Sequence, residues 1–136
     1  AAALTTMTKL QQEPVVKTLW EQGRKIKKGV NTLIRKHNLE NVLSVTGKDC
    51  LSFLIFKDTD VYSQWELKTL FLQEVFARGV LILGTHNMSY AHSDEDITRL
   101  LNVYNEVFEL LKEIIEKNVM DKWLKTEPLV PLFKIR

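Results

Sequence analysis

The chain has 136 residues, of which 45% are hydrophobic and 26% charged, with a formal net charge of +2. These values are typical of one folded domain with a modest core, and they exclude a largely disordered chain. No stretch approaches about 18 uncharged apolar residues, so we expect no membrane span. The single cysteine, Cys50, cannot form an internal disulfide and fits a reducing, cytoplasmic setting.

Two helices are predicted at the start of the chain. Residues 2–12 are rich in alanine and leucine and favour a short helix. Pro14 suits the first turn of a second helix, and apolar residues recur after it at three- and four-residue steps. We expect this long helix to end near His37 and Asn38, because basic residues there complement the helix dipole and asparagine adopts left-handed caps.

Two β-strands are predicted next, at residues 42–47 (VLSVTG) and 50–56 (CLSFLIF). Only Lys48 and Asp49 separate them, which favours an antiparallel hairpin. No activating group lies beside Cys50 in the sequence, so we predict a buried and unreactive thiol.

A third helix is predicted over residues 62–78, and Gly79 is suited to end it. Residues 80–83 (VLIL) predict a short strand that is apolar on both faces and therefore shielded from solvent.

The last helix has the strongest start signal in the chain. Ser93 and Asp96 have the spacing of a capping box, and a wide apolar stripe continues from there to Lys117. The tail from residue 119 holds Trp123, Pro128 and Pro131 and predicts a short helix followed by extended chain. Together these elements predict an α+β fold, in which a small antiparallel sheet of about three strands is covered by long amphipathic helices in a two-layer sandwich.

The polar segment before the last helix contains the candidate functional residues His86, Asn87, Tyr90 and His92. Two interpretations stay open: these groups satisfy the loop and the adjacent helix end, or they contact a ligand. The spacing of His86, His92 and Asp94 matches no standard metal site, so we expect no metal. Glycine-rich phosphate loops and the GxSxG motif are absent from the sequence, and no catalytic residue is assigned.

Basic residues are concentrated on the first long helix. A nucleic-acid surface is one interpretation, but the aromatic residues expected of a single-strand binder are not interleaved with them. We therefore favour a solvated basic face and expect no nucleic-acid partner. The residues concerned are Lys17, Arg24, Lys25, Lys27, Lys28, Arg35 and Lys36.

Two segments resemble the small C-terminal domain of class III aminotransferases, which are fold-type I enzymes dependent on pyridoxal phosphate (PLP). Residues 19–56, from LWEQGRKIKKG to the hairpin, resemble the first helix and hairpin of that domain. Residues 79–113 resemble its last strand, active-site-edge loop and last helix, and AHSDEDI is the most specific part. The resemblance covers residues 10–117 and is nearest to glutamate-1-semialdehyde 2,1-aminomutase and the aminotransferases grouped with it.

The resemblance implies a division of the chain. Residues 1–12 would be the end of a helix from a missing large domain, residues 13–118 the small domain and residues 119–136 a C-terminal extension. The large domain of the same polypeptide would hold PLP and the catalytic lysine, so the chain alone is expected to bind no PLP and to be inactive. The parent enzyme would be a cytoplasmic homodimer that acts on a small amino compound by amino-group transfer or a related reaction.

The resemblance also places Thr85, His86 and Asn87 at the edge of the substrate site, with Tyr90 close by. The loop lacks both the arginine that many class III aminotransferases carry and the glutamate of the aminomutases. The alternative is a standalone α+β binding or interaction module that uses the basic helix.

Overall fold

The computed structural model describes residues 1–130, and most of them are helical. The third helix begins and ends within two residues of its predicted bounds, and the others agree equally well. The α-helices are α1 (Ala2–Gln12), α2 (Val15–Lys36), α3 (Gln64–Ala77) and α4 (Asp94–Lys117).

The strands form one antiparallel sheet in the order β1-β2-β3. They are β1 (Leu43–Lys48), β2 (Leu51–Phe56) and β3 (Thr85–Asn87). With the helices packed on one face of this sheet, the predicted α+β architecture is confirmed.

The predicted hairpin is also confirmed, because β1 and β2 pair from Leu43 opposite Phe56 to Lys48 opposite Leu51. Its turn packs directly on α2 at Gly23. A Cβ atom at that position would lie 1.9 Å from the carbonyl oxygen of Asp49, so only glycine permits this close approach.

The predicted strand at residues 80–83 is wrong. The third strand lies after it, at Thr85–Asn87, where it pairs with β2. Gly79 and Gly84 bracket the VLIL segment with φ angles of 76° and 84°, and these left-handed residues break the extended backbone on both sides. Leu81 is 89% exposed and Leu83 69%, so the segment is not shielded from solvent either.

Capping boxes begin both later helices. Ser63 caps α3 with Glu66, and Ser93 caps α4 with Asp96, as the sequence predicted for the latter. The two helices enclose a core in which Phe71 packs edge-on against Tyr104, with ring centroids 5.2 Å apart.

The tail after α4 runs back along α3. A 3₁₀ turn spans Met120–Lys122, and chain without regular structure follows it to residue 130, as predicted. The Gln73 side chain donates to the carbonyl of Trp123 and accepts from the backbone N–H of Lys125. Pro131 lies outside the described residues.

Two further predictions concern the burial of Cys50 and the absence of a membrane span. Cys50 is half-buried, so the prediction that its thiol is fully buried is wrong. None of the helices within residues 1–130 is both long and apolar enough to cross a membrane.

Candidate functional site

β3 is the edge strand that carries three of the predicted site residues. Because side chains alternate along a strand, His86 points into the core while Thr85 and Asn87 point the opposite way. His86 is 3% exposed, whereas Thr85 is half-buried and Asn87 is exposed.

The His86 ring is held at both nitrogens. Nδ1 lies 3.0 Å from the hydroxyl of Ser52 on β2, and Nε2 lies 3.0 Å from the hydroxyl of Tyr104 on α4. One ring nitrogen of a neutral imidazole donates and the other accepts, and a hydroxyl can take either complementary role. The three side chains therefore join both strands to α4 through one hydrogen-bonded chain.

Burial keeps the His86 imidazole and the Tyr104 phenol neutral. It lowers the pKa of His86 from 6.5 to about 4, because a charged imidazolium is poorly solvated in the core. Burial also raises the pKa of the Tyr104 phenol well above its ordinary value. Ser52 is fully buried, so the Ser52–His86 pair has no access for a substrate and cannot act as a nucleophile and base.

A cavity of about 410 Å³ adjoins β3. Its walls come from α2 at Ile26, from the segment after α3, from β3 and the loop after it, and from the first two turns of α4. Its apolar lining residues are Ile26, Val80, Leu81, Ile82, Met88, Ile97 and Leu100, and its polar ones are Thr85, His86, Asn87, His92, Asp96 and Arg99. The cavity thus has an apolar body and a polar side formed by β3 and α4, which is the usual character of a small-molecule site.

The polar side of the cavity contains a residue that sequence reasoning did not assign, Arg99. The capping box was the sequence signal that could have located it, because the capped start of α4 places residue 99 in the second turn beside Asp96. The Asp96 carboxylate is itself engaged by the backbone N–H and hydroxyl of Ser93, each at 2.8 Å. These hydrogen bonds, the backbone one foremost, lower the pKa of Asp96.

Tyr90, the fourth predicted site residue, does not line this cavity. It packs against α1, where the Lys9 ammonium lies 5.4 Å from the centre of its ring. A hydrogen bond with Glu13 raises the pKa of its phenol. Thr85, His86 and Asn87 therefore all line the cavity, although the His86 side chain points to the opposite face of the strand from the other two, and Tyr90 lies at a separate contact with the first helix.

Many cations of α2 are paired within the described residues. Arg24 and Lys27 both approach Asp49, at 3.2 and 3.7 Å, and Lys25 lies 2.6 Å from Asp94. Exposed pairs of this kind contribute little to stability. They nevertheless offset part of the positive charge of the basic face.

The cavity does not provide a PLP site by itself. Among its lining residues there is no lysine, which PLP enzymes need for their covalent link to the cofactor. Within residues 1–130 no three histidine, cysteine, aspartate or glutamate side chains are grouped to hold a metal ion. A covalent link to PLP would therefore need a lysine from outside this cavity.

Comparison with known proteins supports a fold but names no family. No protein-family model and no curated protein matches the chain. Among solved structures, it is similar to the PLP internal aldimine form of the FumI protein of Sphingopyxis sp. MTA144, with a TM-score of 0.71 and 23% sequence identity. The match covers 85% of this chain but only 27% of FumI. The chain thus shares the fold of about a quarter of a PLP-containing protein.

Proposed function

We propose that the chain is the small C-terminal domain of a PLP-dependent enzyme related to the class III aminotransferases, and that it closes over the substrate. The observation that carries this proposal is the fold shared with FumI, a protein solved with PLP, over most of the chain. The resemblance of residues 79–113 to an active-site-edge loop and last helix supports the same assignment. A large domain of the same polypeptide would supply PLP and its lysine.

Within this proposal the residues of β3 have different roles. Thr85 and Asn87 are the proposed substrate contacts, because they line the cavity and present a hydroxyl and an amide for hydrogen bonding. His86 is a positioning residue, since its hydrogen bonds to Ser52 and Tyr104 hold the strand against β2 and α4. PLP, when bound, supplies the electron sink for amino-group transfer or a related aminomutase reaction on a small amino compound.

The test compares the isolated chain with the longer polypeptide that the proposal requires. The longer polypeptide, a proposed homodimer, should bind PLP with the absorbance of a lysine adduct and transfer amino groups. The isolated chain should do neither, because the cavity has no lysine. A stable, lysine-dependent PLP absorbance in the isolated chain would overturn the proposal, as would a longer polypeptide that binds no PLP.

Asn87→Ala tests the substrate contact directly. In the longer enzyme it should raise KM several-fold with little change in kcat, because a ground-state hydrogen bond to substrate is lost. Asn102→Ala on α4 is the matched control, since Asn102 is exposed and lies outside this cavity. Equal effects of the two substitutions would remove Asn87 from the site.

A further inference from the structure

The sheet has one face turned away from the helices, which we call the open face. It consists of the outward-pointing residues of the three strands, arranged in cross-strand rows by the observed register. The Leu54 N–H also donates a 2.8 Å hydrogen bond to the carbonyl of Gly84, the residue just before β3. The rows are Lys48–Leu51–Asn87, Thr46–Phe53–Thr85 and Ser44–Ile55.

The central strand is apolar on both of its faces. Ser52, Leu54 and Phe56 of β2 are buried against the helices, and the intervening residues are exposed. These are Leu51 at 39%, Phe53 at 38% and Ile55 at 40%. A strand with one solvated face normally alternates apolar with polar residues, whereas a strand covered on both faces is apolar throughout.

We infer that the open face is an interface covered by the remainder of the same polypeptide, a third layer packed on the sheet; this inference rests on the proposed function. Two observations select this partner. No part of residues 1–130 covers the face, although its central residues are those of a covered strand. The chain also matches only 27% of FumI, so in that protein the same fold is accompanied by much additional chain.

The position of the open face fits a partner that completes the cavity. Thr85 and Asn87 belong to the open face and also line the cavity beside β3. A layer packed on Phe53 and Leu51 therefore reaches the rim of the cavity without displacing any helix. The polar side chains of β1 form the opposite border, as is usual at the rim of an interface.

Hydroxyl-radical footprinting tests the inference on unaltered proteins. Phe53 should be oxidised readily in the isolated chain and protected several-fold in the longer polypeptide. Phe76 is the matched control, because it is 41% exposed on α3, away from the sheet. Its oxidation should be similar in both proteins. Equal oxidation of Phe53 in the two proteins overturns the inference, and so does the finding that no longer polypeptide exists.

A pair of substitutions gives an independent readout. Phe53→Glu should lower the unfolding temperature of the longer polypeptide by several degrees more than that of the isolated chain, because only in the longer polypeptide does it bury a charge at the interface. Phe76→Glu should have equal, small effects in both. If the isolated chain sediments as a dimer that Phe53→Glu converts to a monomer, and Phe53 stays accessible in the longer polypeptide, the occupant is a second copy and the inference is wrong.

These measurements separate the interface from the proposed enzyme activity. Protection of Phe53 without PLP binding would support the interface and refute the proposed function. PLP-dependent activity with Phe53 fully accessible would refute the interface alone.

Discussion

The stability of this fold should fall as pH drops below neutral because of His86. Its pKa is lowered from 6.5 to about 4 in the folded chain by burial. Between these values the unfolded chain binds a proton at His86 that the folded chain does not. The state that binds more protons gains stability as pH falls, so acidification favours unfolding in this window. The free energy of unfolding rises again as pH increases to 6.5 and above.

The magnitude follows from the two pKa values. One pKa unit corresponds to about 1.4 kcal/mol, so the loss is about 3 kcal/mol once pH is below the folded pKa. About 2 kcal/mol of it is lost between pH 7 and pH 5, where carboxyl groups stay mostly ionised. This is a large share of the stability of a small domain.

Urea unfolding at several pH values between 7 and 5 measures this effect, with His86→Gln as the comparison. Glutamine can still form a hydrogen bond with Ser52 or Tyr104 but does not titrate. The unaltered chain should lose about 2 kcal/mol more than the variant over this range. The other titrating groups are common to both proteins and cancel. Parallel losses in the two proteins would refute the assignment of a buried, neutral His86.

Three further substitutions test contacts that hold the site and the surrounding fold together. Tyr104→Phe should destabilise the fold by about 1–2 kcal/mol, because Nε2 of His86 loses its buried partner. Gly23→Ala should cost about 2 kcal/mol or more, since its methyl group would overlap the Asp49 carbonyl and push the hairpin away from α2. Ser93→Ala should cost about 1 kcal/mol through loss of the α4 cap. Urea unfolding at neutral pH measures all three.

Gly29→Ala is a control for Gly23→Ala on the same helix. Its Cβ would meet the two terminal methyl groups of Leu101 at 2.6 and 2.7 Å, and a side chain can shift to relieve such a clash where the backbone carbonyl of a tight turn cannot. Equal destabilisation by the two alanines would contradict the argument from the hairpin turn. Tyr104→Phe with unchanged stability would likewise contradict a hydrogen bond to His86.

The fold was largely predictable because its helices carry local signals. The capping box at Ser93 and Asp96 set the start of α4 correctly, and the short link after Lys48 predicted the hairpin. The strand at residues 80–83 was wrongly predicted because an apolar run forms a strand only if the flanking backbone stays extended. The left-handed φ angles of Gly79 and Gly84 are properties of the folded chain that glycine permits but does not require.

The site was less predictable because its contacts join residues distant in sequence. The loop composition singled out His86, but not that Ser52 and Tyr104 would occupy both of its nitrogens. A histidine between two polar neighbours gives no local sign of burial. Arg99 was not assigned because it lies on a helix, outside the polar loop. Only the folded position of α4 beside β3 brings it to the cavity.

The short strand β3 links the proposed substrate site to the proposed interface. Its His86 is anchored in the core, while Thr85 and Asn87 belong both to the open face and to the cavity wall. A layer that covers the open face would therefore contact the same strand that lines the proposed substrate site. Because His86 ties β3 to β2 and α4 through two hydrogen bonds, we expect β3, β2 and α4 to move together in the closure that the proposed function requires.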